Sequence, residues 1–162
     1  MDEEKSAFRQ FINILVQFYP ETSDIYELIL NLNAVINTSE DIDLATVTAL
    51  VTDQDNTGDW VGCRGSGDQY GGYTCGLWSL WHYLTVAQLE TRTGDPGQVL
   101  RSMVSYVRHF FNCRECARHF LDMVGNKTDG DSVVVAREDV YVTSYEAPVL
   151  YLWQKHNDVT IR

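Results

Sequence analysis

Apolar residues recur at helical spacing through the first third of the chain, in three sets separated by polar breaks. The sets lie at residues 7–19, 25–36 and 44–50, and Pro20 ends the first of them. Ser23 or Asp24 is suited to cap the second helix, and Asp41 or Asp43 the third. The pattern predicts three amphipathic helices. Because this part of the chain contains neither cysteine nor histidine, we interpret it as structural.

The rest of the chain has a different pattern. Residues 53–74 are rich in Asp, Gly and Ser, which predicts an exposed loop. Four further helices are predicted, from about Thr74 to Arg92, Pro96 to Phe111, Cys113 to Val124 and Tyr145 to His156, with Thr74 as a cap and Pro96 in a first turn. Residues 126–143 alternate valine-rich runs with charges and predict a surface insertion that can form a hairpin. We therefore predict an all-α chain, folded as a compact helix bundle.

The balance of charges narrows the classes of partner. Lys and Arg number 12 and Asp and Glu number 23, which gives a formal net charge of −11. Such a chain repels phosphates, so we expect neither nucleic acid nor an anionic membrane surface as a partner. No apolar run is long enough to span a bilayer. With 44% apolar residues, the 162-residue chain can bury a core and is not a disordered segment.

A CxxC motif occupies residues 113–116, at the start of a predicted helix. Backbone N–H groups and the helix dipole at that position favour a thiolate, the species that attacks disulfides. The i, i+3 spacing also lets the two sulfurs reach each other. Half of a zinc site has the same spacing, however, and His109 and His119 could complete such a site. From the motif alone, redox exchange, zinc binding and a chance structural pair all stay open.

Three sequence blocks narrow this choice. They read GYTCGLWSLWHYLTV at residues 72–86, FFNCRECARHF at residues 110–120 and LWQKHNDV at residues 152–159. In this order the blocks resemble those of the quiescin sulfhydryl oxidases, in the domain that these enzymes share with the Erv and ALR oxidases. The resemblance covers roughly residues 60–162, and the combination of three blocks is highly specific.

The resemblance implies a fold and a division into domains. Residues 56–162 would form a four-helix bundle of the Erv/ALR type with a short fifth helix, and this bundle would hold FAD in its mouth. Residues 1–55 match, by position, the helical region that precedes this domain in quiescin oxidases, where it forms a degenerate, flavin-free half of a pseudo-dimer. We therefore expect a monomer with an internal pseudo-dimer, in place of the homodimer of simple Erv and ALR oxidases.

The resemblance also implies which residues function. The catalytic dithiol is Cys113 and Cys116, with Cys113 as the outer sulfur and Cys116 next to the flavin. Cys63 and Cys75 match the structural disulfide of the family. The FAD contacts carried over from the motifs are Trp78, His82, Glu115, His119, Trp153, Lys155, His156, Asn157 and Val159. Taken singly, such residues are more often core or surface positions, and only their joint order indicates a cofactor. No metal ligand is expected.

The implied activity is that of a FAD-dependent thiol oxidase, which forms disulfides and reduces O2 to H2O2. Its implied partners are thiol substrates and a thioredoxin-like domain of the full-length protein, and its implied location is the secretory pathway. Three departures from the family pattern affect the flavin site. Gly71 replaces a frequent arginine, Thr160 replaces a usual asparagine, and further family motifs would follow Arg162. We therefore expect that the chain is a C-terminal portion of a longer protein. We also expect that it lacks the last part of the oxidase domain.

Two other functions compete with this interpretation. One is a zinc-binding interaction module built on the CxxC motif and nearby histidines. The other is a disulfide-stabilised helical domain without catalysis. A visible spectrum separates the three, because an oxidised flavin is yellow whereas zinc and a plain helix bundle are colourless.

Overall fold

The computed structural model describes residues 2–38, 44–52, 72–124 and 144–160, and the regular structure in these ranges is helical. The described helices are α1 (Asp2–Phe18), α2 (Tyr26–Thr38), α3 (Leu44–Thr52), α4 (Tyr73–Thr91), α5 (Gln98–Phe110), α6 (Arg114–Met123) and α7 (Glu146–Thr160). The predicted all-α class is confirmed. No helix in these ranges is long and apolar enough to cross a membrane. The predicted caps at Asp41 and Asp43 and the predicted hairpin at residues 126–143 lie outside the described residues.

Several helix ends differ from the sequence predictions. The N-cap of α4 is Gly72, so Thr74 lies inside the first turn and its prediction as a cap is wrong. Pro96 lies in the turn before α5, whose N-cap is Gly97, and not in the first turn of the helix. The Asp95 carboxylate accepts the Gly97 N–H at 2.8 Å and thereby closes that turn. α7 continues four residues beyond the predicted end at His156.

The first two helices pack through aliphatic and aromatic side chains. The buried residues at their interface and its surroundings include Ile12, Ile14, Leu15, Phe18, Ile29, Leu32 and Ile36. Two polar side chains tie the helix pair together by hydrogen bonds to main-chain carbonyls. Arg9 Nε donates to the Ile36 carbonyl at 2.9 Å, and the Tyr26 hydroxyl donates to the Val16 carbonyl at 3.0 Å. The first bond satisfies a carbonyl in the last turns of α2, where helical partners run out.

α1 also packs against α5 and α4, so the N-terminal helices share a core with the rest of the molecule. The Phe11 ring lies 4.7 Å from the Tyr106 ring and 5.5 Å from the Trp81 ring. Phe8 meets Phe110 edge-on at 6.1 Å. These aromatic contacts join residues far apart in sequence, and they fix where α4 and α5 stand relative to α1.

The turn between α4 and α5 is also bonded to the start of α7. Arg92 and Gly94 adopt left-handed backbone conformations there, with φ of 49° and 73°. The Gly94 carbonyl accepts a hydrogen bond from the Tyr145 hydroxyl at 2.7 Å. Arg92 forms an ion pair with Glu146 at 2.9 Å. The first residues of α7 are therefore attached to the last residues of α4, and the two helices run antiparallel.

Candidate functional site

The CxxC motif forms a disulfide at the N-terminus of α6. Phe111 ends α5 in extended backbone, and Cys113 is the N-cap of α6. The Cys113–Cys116 bond has an S–S distance of 2.00 Å and a Cα–Cα distance of 5.2 Å. The Cys116 N–H also donates to Cys113 Sγ at 3.3 Å. Because the first N–H groups of a helix lack helical partners, this position can stabilise a sulfur that becomes negatively charged.

A cavity of about 310 Å³ lies beside this disulfide, between α4, α5, α6 and α7. Its lining residues are Thr74, Leu77, Trp78, Trp81, Met103, Val107, Phe111, Cys116, His119, Phe120, Met123, Asp158 and Val159. The walls are thus mostly apolar and aromatic, with few polar groups, which is typical of a small-molecule or cofactor site. Cys116 lines the cavity, whereas Cys113 does not.

An aromatic and imidazole cluster lies beside the cavity: Trp78 lines the cavity, whereas His82 and His156, which contact Trp78, do not. The rings of Trp78 and His156 are stacked, 4.5 Å apart and inclined by 7°. His82 Nε2 and His156 Nδ1 are 3.1 Å apart, so one nitrogen donates to the other. Burial, and secondarily the charge of His156, lower the pKa of His82 below its ordinary value of 6.5. The neutral form of His82 is therefore favoured at neutral pH.

The last turns of α7 bring further predicted residues to the cluster. Val159 lines the cavity, and Asn157 is half-buried next to His156 in the chain. Lys155 Nζ lies 3.1 Å from the Asp158 carboxylate and 5.6 Å from the centre of the Tyr151 ring. Because α7 continues past His156, all these residues are held by one helix. On α6, His119 lines the cavity one turn after Cys116.

Three of the nine predicted FAD contacts line the cavity, namely Trp78, His119 and Val159, and the other six do not: His82, Glu115, Trp153, Lys155, His156 and Asn157. Trp153 on α7 is 63% exposed, and it does not line the cavity. Glu115 is exposed in the first turn of α6 and does not line it either. The sequence blocks therefore identified residues around the cavity together with residues of the surface beside it. Their assignment as FAD contacts stays a prediction.

The apolar walls were not predicted as site residues. Leu77, Trp81, Met103 and Val107 have the signal of ordinary core residues, since apolar side chains at helical spacing usually pack against other helices. Leu77 and Trp81 fell within the block at residues 72–86, and Phe111 and Phe120 within the block at residues 110–120, but none of the four was singled out as a site residue. Asp158 lies between predicted residues and also lines the cavity. No sequence signal separates a wall residue from a core residue here, because the difference is whether the facing helix fills the space.

An aromatic clasp, formed by Tyr73, Tyr106 and Phe111, joins the start of α4 to the loop before the disulfide. The hydroxyl groups of Tyr73 and Tyr106 are 2.9 Å apart, and the Tyr73 ring is stacked on Phe111 at 5.8 Å. Burial, together with the hydrogen bond between the Tyr106 and Tyr73 hydroxyls, raises the pKa of Tyr106. Since Phe111 lines the cavity two residues before Cys113, the clasp holds one side of the CxxC loop.

The second predicted disulfide is described at one end only. Cys75 lies in the first turn of α4 and is disulfide-bonded. Cys63, its predicted partner, lies outside the described residues, so the pairing stays a prediction. For the zinc alternative, the described ranges contain no group of three or more His, Cys, Asp and Glu side chains that could hold a metal ion.

Comparison with known proteins identifies the family. The model of the Erv1/Alr family matches residues 75–162, which is more than half of the chain. The chain belongs to the Erv1/Alr family. This match covers α4 to α7, the helices that surround the cavity and carry the disulfide.

Individual relatives agree with this assignment. The chain is 42% identical over 105 residues to sulfhydryl oxidase 1 of Gallus gallus, an alignment that covers 64% of this chain and 13% of that protein. It is 30% identical over 173 aligned positions to sulfhydryl oxidase 1 of Mus musculus, covering 96% of this chain and 21% of that protein. The resemblance to quiescin sulfhydryl oxidases is confirmed. The chain spans about an eighth to a quarter of the length of such relatives.

A solved structure extends the agreement to the whole fold. The sulfhydryl oxidase fragment of human QSOX1 superposes with a TM-score of 0.80 and 27% sequence identity. The superposition covers 99% of this chain and 65% of that fragment. The N-terminal helices α1–α3 are therefore part of the shared architecture, although the family model begins only at residue 75.

Proposed function

We propose that this chain is the catalytic portion of a FAD-dependent thiol oxidase, with Cys113–Cys116 as its working disulfide. The observation that carries the proposal is the position of that disulfide at the N-terminus of α6. Cys113 is exposed and lies outside the cavity lining, whereas Cys116 belongs to the lining. Such a disulfide can receive electrons from a substrate on one side and release them to a bound cofactor on the other.

The residues around the cavity fit a flavin. Its walls are apolar and aromatic, as a flat isoalloxazine ring requires, and Cys116 is the redox-active group among them. The paired imidazoles of His82 and His156 can donate and accept hydrogen bonds at the edge of the cavity. Close to the cavity, Lys155 is paired with the Asp158 carboxylate, so it would bind a diphosphate only by leaving that partner.

The residues that would hold FAD follow from this fit and from the family motifs. Trp78, His82, His119, His156 and Val159 would contact the cofactor in or beside the cavity. Glu115, Trp153, Lys155 and Asn157 complete the proposed set along α6 and α7. A flavin held by these residues would supply the two-electron chemistry that links the reduced cysteine pair to O2, with H2O2 as the product.

The protein's own part of the reaction is thiol–disulfide exchange. A substrate thiolate attacks Cys113 Sγ, the S–S bond breaks, and Cys116 leaves as a thiolate that the α6 N-terminus stabilises. A second substrate thiolate then attacks the substrate sulfur of the mixed disulfide and releases Cys113. The net change is oxidation of two thiols to one disulfide and reduction of the cysteine pair. With the electrons passed on, the overall reaction is 2 R-SH + O2 → R-S-S-R + H2O2.

We further propose that residues 1–55 form the flavin-free half of a pseudo-dimer with the oxidase domain at residues 56–162. The support is that α1 packs its apolar face on α4 and α5. Surface covered in this way is not available to a second copy of the chain, so the chain would be a monomer. Light scattering checks this proposal, and twice the chain mass at micromolar concentration would count against it.

In the full-length protein, a thioredoxin-like domain would deliver electrons to Cys113, and the setting would be the secretory pathway. Tethering makes that delivery effectively intramolecular. Without the tether, we expect ready oxidation of dithiothreitol and slow oxidation of reduced, unfolded proteins. Oxygen consumption at matched thiol concentrations tests this expectation, and equal rates for both substrates would contradict it.

The proposed function as a whole is tested by a visible spectrum, a metal analysis and oxygen uptake. We expect a yellow protein that consumes O2 when dithiothreitol is added and forms H2O2. Stoichiometric zinc without colour would favour the interaction module that competes with this proposal. A colourless, metal-free protein that stays inactive after incubation with FAD would leave only the disulfide-stabilised helical domain.

A further inference from the structure

The helix that follows Cys113 carries two arginines in a chain whose net charge is −11. Residues 95–124 contain four arginines and three carboxylates, and one of these arginines, Arg101, is paired with Asp95. Two of these arginines, Arg114 and Arg118, are exposed on α6. Both lie within five residues of Cys113, the sulfur that we propose receives the substrate.

The described residues give these two arginines no carboxylate partner. Among the described residues, the ion pairs are Arg92–Glu146, Arg101–Asp95 and Lys155–Asp158. Within the same ranges, neither Arg114 nor Arg118 belongs to such a pair. Arg118 instead lies 3.3 Å from His119 Nε2. A guanidinium group can only donate, so this nitrogen accepts, and the charge of Arg118 is not compensated by the contact.

The arginines also occupy a distinct side of α6. Residues 114 and 118 are four apart and therefore share a helix face, opposite to the face of Cys116 and Phe120 that lines the cavity. The disulfide thus has the cavity on one side and two guanidinium groups on the other. A substrate that reaches the exposed Cys113 from solvent approaches beside these groups.

The carboxylates of α6 do not cancel this charge at Cys113. Asp122 is nine residues away, or about 13 Å along the helix, which exceeds the Debye length of about 8 Å at physiological salt. Glu115 is close, but it opposes two arginines and the positive N-terminal end of the helix dipole. Among the charged groups of α6, those closest to Cys113 are therefore two guanidinium groups, one carboxylate and the positive end of the helix dipole, and they leave a net positive charge.

We propose that Arg114 and Arg118 select the substrate, favouring dithiols carried on acidic polypeptide segments over dithiols on basic ones. This assignment rests on the proposed function, because it names the substrate class of the same disulfide. Acidic side chains next to a substrate cysteine would lie over the guanidinium groups, which bind carboxylates through paired hydrogen bonds. Such attraction raises the rate of encounter, so it acts on the first exchange step.

The test follows reduction of Cys113–Cys116 by two reduced dithiol peptides without oxygen. The peptides are identical, except that four glutamates in one are four lysines in the other. The extent of reduction is measured in two ways. Mass spectrometry counts the alkylated thiols of Cys113 and Cys116, and any loss of flavin absorbance reports electrons that have moved on to the flavin. The quantity compared is the rate constant for the acidic peptide divided by the rate constant for the basic peptide. We expect this ratio to be roughly tenfold larger at low salt than at high salt, where screening removes the attraction.

Matched variants assign the effect to the two arginines. The double variant Arg114→Gln, Arg118→Gln should lower the low-salt ratio about tenfold, since a surface charge acts mainly on association. Arg114→Lys keeps the charge and should keep most of the ratio. Arg92→Gln makes the same charge change at the far end of α4 and should leave the ratio unchanged. The intrinsic reactivity of each peptide cancels, because the same two peptides are used throughout.

The outcomes separate this inference from the proposed function. A double variant with the same ratio as Arg92→Gln would overturn the selection of acidic segments, as would a ratio that does not respond to salt. Failure of both peptides to reduce a disulfide that dithiothreitol reduces would overturn it too. If the ratio behaves as expected but the protein takes up no oxygen with dithiothreitol, the oxidase function is wrong and the selection of acidic segments by Arg114 and Arg118 stands.

Discussion

The N-terminal helices and the helices around the disulfide are built by the same kind of packing, and they differ in whether the space between helices is filled. Between α1 and α2, aliphatic side chains such as Ile12 and Ile36 fill the interface. Between α4, α5, α6 and α7, large aromatic side chains line a cavity of about 310 Å³. The proposed chemistry of the second region depends on that gap, because a bound cofactor would need a space beside Cys116.

The two regions are nevertheless one packed structure. Phe11 of α1 contacts Trp81 and Tyr106. Trp81 lines the cavity, and Tyr106 belongs to the aromatic clasp. The close packing of α1 on one side of α4 and α5 therefore holds these helices in place, while the cavity remains on their other side. Substitutions should separate the two contributions: changes at the disulfide should stop the reaction without unfolding, and changes in α1 should unfold the chain.

The largest expected effect comes from the cysteine pair. Cys116→Ser should lower oxidation of any thiol by roughly a thousandfold or more, because the exchange and the electron transfer both pass through this sulfur. Cys113→Ser should be as inactive but leave a thiolate beside the flavin, visible as a long-wavelength absorption band. The unfolding midpoints of both variants identify any loss of fold. A band in Cys116→Ser and none in Cys113→Ser would reverse the assignment of the two sulfurs.

Truncation of Phe11 in α1 should act on stability instead. Phe11→Ala removes the ring that packs on Trp81 and Tyr106 and should lower the free energy of unfolding by about 3–5 kcal/mol. Urea denaturation measures this change. Ser6→Ala, at an exposed position on the same helix, is the control and should change stability by less than about 0.5 kcal/mol. A loss below 1 kcal/mol for Phe11→Ala would show that α1 is not part of the common core.

Removal of the second disulfide should have a somewhat smaller effect. If Cys63 and Cys75 are paired, the double alanine variant should lose roughly 3 kcal/mol, since the loop between them is short. Thermal unfolding measures the loss. Turnover should persist when FAD is saturating, because these sulfurs take no part in the exchange. Complete inactivity of a folded, flavin-loaded variant would instead give this pair a redox role.

The smallest effect concerns the histidine pair beside the cavity. The pKa of His82 is lowered in the folded chain by burial and by the charge of His156, so between that pKa and about 6.5 the unfolded chain binds more protons. Stability should therefore be full above pH 6.5 and should fall as the pH drops below it. His82→Gln should flatten this part of the profile. Denaturation curves from pH 7.5 to pH 5 test the point, and an unchanged slope in the variant would contradict it.

The sequence alone predicted the helical class, the CxxC motif and the aromatic and imidazole residues next to it. Trp78, His82 and His156 were found because they belong to blocks with a fixed order. The walls formed by Trp81 and Met103 were missed, because a buried apolar residue has the same sequence signal whether or not the opposite helix fills the space. Whether a gap remains depends on side chains from four helices at once.

The end of α7 was missed for a related reason. Local pattern predicted an end at His156, yet α7 continues to Thr160. Stacking of His156 on Trp78 and the Lys155–Asp158 ion pair support the extra turn, and the first of these contacts comes from a helix more than 70 positions earlier in the sequence. Tertiary contacts of this kind override weak local preferences.

The attachment of the start of α7 to the turn after α4 has a consequence for the alignment of the two helices. Tyr145 and Glu146 are bonded to Gly94 and Arg92, and His156 of α7 is stacked on Trp78 near the other end of α4. The antiparallel pair is therefore joined at two points about three turns apart. Its register is fixed at both ends, so α7 cannot slide along α4 by one turn without breaking both sets of contacts.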